Sequence, residues 1–216
     1  ALEPLTLAQL KAHLRIDATM TDDDALLTSY ISAARHWAER YTNRAFFPQQ
    51  WRLNLDHFPL SYEALPTVNP SLRRDFPFYA GYWNQATIGL SKPRVTSIDS
   101  ITYLDQTGAT QTLDPSSYIA DLASEPARIL PAPSMFWPTA AAYIPGSVRI
   151  TYTSGDYATL NDVPQDIVVA LLLLCAQWYA HPEATGVGVS ADELPFAVTA
   201  LLRSHRFECL DLDSVI

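Results

Sequence analysis

The sequence is poor in most of what organises a chemical site. It has two cysteines, seven glycines and fourteen Lys+Arg among 216 residues. Cys175 lies in the apolar run IVVALLLLCAQ and Cys209 near the end, with no CxxC and no histidine at ligand spacing. A disulfide framework and a zinc site therefore have no basis, and both thiols are expected to be free, as in a reducing compartment. Seven glycines against sixteen prolines imply stiff, extended connections. The shortage of positive charge leaves a formal net charge of -9. Such a surface is a poor partner for phosphates, which bind clustered Lys and Arg, and the one adjacent basic pair, Arg73-Arg74, reads as a solvated loop pair. The longest apolar run, 167–176, is about half of what a bilayer span needs, so it is expected to be a helix buried on all sides. The opening ALEPLTLAQL lacks the basic and long apolar regions of a signal peptide.

What the chain does have is core: 48% of its residues are hydrophobic and 11% aromatic. Thr6 with Gln9 makes a capping box ahead of LAQLKAHL, a short first helix. Thr21 and Asp24 repeat the arrangement, and Leu26, Leu27, Tyr30, Ile31, Ala34, Trp37, Ala38 and Tyr41 then form one wide apolar stripe, predicting a second helix. Asp22, Asp23 and Asp24 would then face the unpaired N–H groups of its first turn, with Arg35, Arg40 and Arg44 complementing the other end. From Gln50 the period becomes two, with Trp51, Leu53 and Leu55 alternating with Arg52 and Asn54. Further short strands follow in RVTSIDSITYLD, ATQTL, SYIADL, ARIL and SVRITYTSGD, with a turn at 105–108. Pro164 opens a third helix and the region of Pro195 a fourth. The expected fold class is α+β: N-terminal and C-terminal helices packed as a small helical core, with an inserted antiparallel β-rich region. Residues 1–49 and 160–206 form the core, 50–159 the insertion with a long loop at 56–89, and 207–216 an extended tail.

Catalytic and cofactor signals are weak. There is no HExxH, GxSxG or P-loop, and the glycines at 186 and 188 follow a helix rather than a strand. The three aspartates read as a helix start and not as a metal cluster, because adjacent side chains on a helix fan out by about a hundred degrees each. No catalytic residue, cofactor or metal is expected. One alternative is open: the aromatic stretch 76–85, FPFYAGYWNQ, could stack on sugar rings, as in a carbohydrate-binding or glycoside-processing protein. A nucleic-acid-binding factor is disfavoured by the charge balance.

LTLAQLKAHLRID followed by TDDDALLTSYISAARHWAERYTNRAF resembles the N-terminal signature of head-to-tail connector (adaptor) proteins of tailed double-stranded DNA phages and gene-transfer agents. KPRVTSIDSITYLDQTGATQTLDPSSY, SVRITYTSGD, VPQDIVVALLLLCAQWYAHPE and LPFAVTALLRSHR resemble longer members of that family in the same order. The 56–89 insert and the ten-residue tail lie outside the resemblance. The resemblance implies a structural virion protein without enzymatic activity, assembled in the host bacterial cytoplasm and resident at the capsid–tail junction. It implies a ring, usually twelve-fold, with a portal protein on one side, a stopper or tail completion protein on the other, and genome DNA passing through without specific binding. No membrane partner is implied. Within that role the tail residues Phe207, Leu210, Leu212, Val215 and Ile216 are expected to bind the portal as an added extended segment. Arg73, Arg74, Tyr79, Tyr82, Trp83, Val187 and Val189 are candidate contacts with neighbouring subunits or the next tail protein.

Overall fold

The computed structural model describes residues 2–59, 86–141, 144–181 and 196–207. These contain four α-helices and seven strands, all paired antiparallel, so the chain is α+β. The described residues fall into two compact units, one formed by those up to Pro48 together with those from Asp156 on, the other by Gln49–Gly155.

The first unit holds α1 (Leu7–Leu14), α2 (Asp24–Thr42), α3 (Gln165–Ala180) and α4 (Phe196–Arg203). The Thr6–Gln9 capping box is formed, with the Thr6 hydroxyl accepting from the Gln9 N–H and the Gln9 side chain accepting from the Thr6 N–H at 2.9 Å. Both early helices end in the left-handed region, at Arg15 (φ 59°) and Asn43 (φ 54°), whose N–H groups return to carbonyls of the last turn. Leu27, Ile31, Ala34 and Ala38 of α2 pack with Ile167, Leu171, Leu174 and Cys175 of α3 and with Val198 and Leu202 of α4 in one buried cluster. Burial pushes the Cys175 thiol up to about 12 and keeps it neutral.

Three expectations need correction here. The capping box at Thr21 and Asp24 is absent: α2 starts at Asp24 with Asp23 at the N-cap, and no side-chain capping bond forms. The carboxylates are drawn to distant partners instead. Arg35 does not complement the end of α2; it is 6% exposed and bonded to Glu3 and Glu39. Nor is the 167–176 run buried on all sides, since Val169 is 43% exposed and Leu172, Leu173 and Ala176 are half-buried. Leu172 and Leu173 are packed against the helical cluster from its margin.

The second unit holds β1 (Gln49–Leu55), β2 (Ile88–Gly89), β3 (Val95–Leu104), β4 (Thr110–Thr112), β5 (Tyr118–Asp121), β6 (Arg128–Pro131) and β7 (Val148–Ser154). They form a four-stranded sheet in the order β1-β7-β3-β4 and a three-stranded sheet in the order β2-β6-β5. Ile101, Val148, Ile150 and Tyr152 of the first share a core with Ile88 and Ile129 of the second. Phe58 stacks on Trp137 with centroids 5.1 Å apart in the same cluster. The first and last strands of this unit pair directly, Gln49 opposite Ser154. Entry and exit of the long excursion thus lie side by side. In the first unit the flanking segments close the same way, with the Asp156 and Tyr157 N–H groups donating to the Ala45 and Phe46 carbonyls at 2.9 and 2.8 Å. The loop-closure cost of the excursion grows only with the logarithm of its length, so a large insertion is tolerated once its ends are pinned.

Candidate interaction surfaces

The acids near the front of the chain tie helices together. The Asp24 carboxylate pairs with the Lys11 ammonium at 2.5 Å, and the buried Lys11 also donates to the Met20 carbonyl at 2.6 Å. Asp23 accepts from the Tyr179 hydroxyl at 2.8 Å, and that hydrogen bond raises the phenol above its ordinary range. Asp22 is exposed. The α1–α2 and α2–α3 contacts thus absorb the two carboxylates beside the helix start. Among the described residues, no group of three or more His, Cys, Asp and Glu gathers as a metal site, and no helix is long and apolar enough to cross a membrane.

A second polar cluster fixes where the chain leaves α4. His205 Nε2 lies 2.6 Å from Asp166 Oδ2 at the start of α3, while the His205 carbonyl accepts from Arg44 Nε at 2.7 Å. Arg44 also pairs with the buried Asp156 carboxylate at 3.3 Å. Burial alone would raise the Asp166 carboxyl, but the bonds from His205 and from the Ile167 N–H outweigh it and hold the group below its usual value. The Phe207 N–H donates to the Thr42 carbonyl at 2.8 Å, and the Arg44 guanidinium lies 5.9 Å from the Phe207 ring centroid. Arg206 lies over Tyr41, which stacks on Trp37. Phe207, expected to be part of an extended tail, is therefore anchored on its own chain at the end of α2, while 208–216 lie outside the described residues. Sequence reading missed this cluster because its partners come from segments more than a hundred residues apart.

The remaining expected contacts, Arg73, Arg74, Tyr79, Tyr82, Trp83, Val187, Val189, Leu210, Leu212, Val215 and Ile216, lie outside the described residues, as does the aromatic stretch 76–85. Large apolar side chains at the described surface that sequence reading did not single out as contacts include Met135 and Phe136 after β6, Phe196 at the start of α4, and Val169 on α3. The signal for Val169 was present in the all-round apolar run of α3, which promises a further packing partner on every side.

Residues 4–68 match the family model described as phage gp6-like head-tail connector protein. The chain is similar to the head-tail connectors. The matched span includes α1, α2 and β1, where the sequence resemblance begins. Among solved structures, a chain in the "Neck of empty GTA particle computed with C6 symmetry" is 23% identical at a TM-score of 0.64, covering 95% of this chain and 90% of that one. One in the "Virion of native gene transfer agent (GTA) particle" is 22% identical at a TM-score of 0.66, covering 96% and 93%. One in the "Neck of native GTA particle computed with C12 symmetry" is 22% identical at 0.62, covering 94% and 88%. At this identity the likeness establishes the fold, and it extends well beyond the part matched by the connector family. No protein with a curated description matches the chain. None of these comparisons supports the carbohydrate reading.

Proposed function

We propose that this connector-like chain is a structural subunit of the head–tail neck of a phage or gene-transfer-agent particle. In this reading about twelve copies form a ring under the portal and hold the stopper or tail completion protein on the other side. The observation that carries the reading is the fold match to neck subunits over nearly the whole chain, inserted sheets included.

Twelve copies at -9 apiece carry on the order of a hundred net negative charges, enough to repel a duplex within a Debye length of about 8 Å. In the proposed ring this lets genome DNA pass without adhering. A lumen lined mainly by Lys and Arg would contradict that part of the reading.

The tail carries the portal contact. Because Phe207 is anchored, the docking segment is 208–216, with Leu210, Leu212, Val215 and Ile216 as its apolar side chains and Phe207 as the fixed point from which it extends. Removing 208–216 is expected to abolish binding to a purified portal ring while leaving the melting temperature within about 2 °C of the parent chain, since no described core residue is lost. Unchanged portal binding would refute the assignment. Arg73, Arg74, Tyr79, Tyr82, Trp83, Val187 and Val189 are proposed contacts with neighbouring subunits or the next tail protein.

A further inference from the structure

The outer face of the four-stranded sheet carries positive charge that the described chain leaves unpaired. Alternation along β1 and β7 and their register set Arg52 opposite Thr151 and Asn54 opposite Arg149, on the face away from Val148, Ile150 and Tyr152 of the core. Ser100 and Thr102 of β3 continue the two rows, opposite Thr151 and Arg149. Arg52, Asn54 and Arg149 are exposed. The two arginines occupy diagonal positions about 7 Å apart, where like charges repel. Arg94 and Arg128, the other described arginines of this unit, pair with Glu125 and Asp121. Arg52 and Arg149 have no carboxylate partner among the described residues. Asp99 on β3 is engaged instead by Gln50, Ser97 and Thr153. In a chain with twenty-three Asp+Glu against fourteen Lys+Arg, acids that could pair them are not scarce.

We propose that this face docks onto the acidic turn ahead of α2 in a second copy of the chain. The inference rests on the ring reading above. A closed ring joins two different surfaces of the same chain, repeated around the axis, so the complement of the arginine face is to be found on that chain. Asp17 and Asp22 supply it, both exposed. The Asp17 carboxylate accepts from the Thr19 N–H and hydroxyl and keeps its charge free of any cation in hydrogen-bond contact. The Asp22 side chain has neither a hydrogen bond nor an ion pair among the described residues. Asp23 and Asp24 beside them are already held by Tyr179 and Lys11 of their own chain. Each guanidinium grips a carboxylate through two parallel N–H bonds, and patches of opposite sign fix the register of the contact. A DNA duplex is a poorer fit, because affinity for phosphates is built from many contacts at once and two cations neutralise only about two.

The test is a charge exchange read in purified particles. Arg52→Asp with Arg149→Asp, and separately Asp17→Arg with Asp22→Arg, are each expected to lower the amount of this chain in the particles at least about tenfold, because like charges then meet in every repeat of the contact. All four substitutions on one chain restore opposite signs and are expected to bring the amount back to within about threefold of the parent. Melting temperatures of the variants should stay within about 4 °C of the parent, as for exposed positions. Normal incorporation of either pair variant, or no recovery in a four-substitution chain that keeps its melting temperature, would overturn the inference. A second arm leaves every charge in place: a photoreactive benzophenone side chain at Asn54, irradiated in particles, is expected to give products in multiples of 24.0 kDa attached within 17–24 of another copy. Attachment within one chain alone, attachment only to a different protein, or no product would overturn the inference and leave the neck reading intact. Absence of the parent chain from purified particles would overturn both.

Discussion

Glu39 shows how single residues set the geometry of the helical unit. It is 8% exposed and sits within α2, where a lone carboxylate would be costly. One oxygen accepts from Arg35 Nη1 at 2.9 Å and the other from the Phe46 N–H at 2.9 Å, and Arg35 reaches on to Glu3. The side chain therefore fixes the turn after α2 and, through Arg35, the segment ahead of α1. Glu39→Ala leaves a buried guanidinium with one partner fewer and a buried N–H with none of its carboxylate. A loss of about 3 kcal/mol in unfolding free energy is expected from urea denaturation. A change below about 0.5 kcal/mol would show that the pair is dispensable. Lys11 does the equivalent for the α1–α2 connection through Met20 and Asp24.

Among the elements, the β3–β4 hairpin depends most directly on one side chain. Strand pairing brings Leu104 opposite Thr110 and leaves 105–109 to turn, with Gly108 at φ 83°. The Asp105 carboxylate accepts from the Thr107 hydroxyl, the Gln111 amide and the N–H groups of Thr107 and Ala109, and these bonds hold it at about 2. Its folded value lies below the ordinary aspartate value of about 3.9, so its support for the turn is complete above that pH and is lost as pH falls through about 2. NMR titration of the Asp105 carboxyl is expected to give a midpoint near about 2, with the Thr107 and Ala109 amides moving alongside. A midpoint near about 4 would contradict the hydrogen-bonded turn.

That turn was legible in the sequence, as were the Thr6–Gln9 cap, the α2 stripe and the alternation of β1 and β7, because each rests on residues near one another in the chain. The start of α2 was legible as a start but not in its bonding. Tyr179, which takes up Asp23, lies 156 residues away, and propensity says nothing about such a competitor. The division of the strands into two sheets was likewise hidden, since it follows from non-local registers such as Leu53 opposite Ile150. So was the anchoring of Phe207, which depends on Arg44 meeting the His205 carbonyl across 161 residues. The apolar run of α3 was read correctly as a helix, but not in its burial, since Val169 is 43% exposed.

At the scale of the whole molecule these local solutions give a helical unit whose four helices share one buried cluster and whose described chain ends at Phe207, held on the end of α2. Residues 4–68 match the connector family model, and the fold is shared with chains in gene-transfer-agent necks. The most direct test is a cryo-EM reconstruction of the neck of purified particles produced with this chain, at a resolution that traces side chains. The account predicts a closed ring of this chain between the portal and the tail side. A neck traced entirely to other chains, from particles that lack this one, would contradict it.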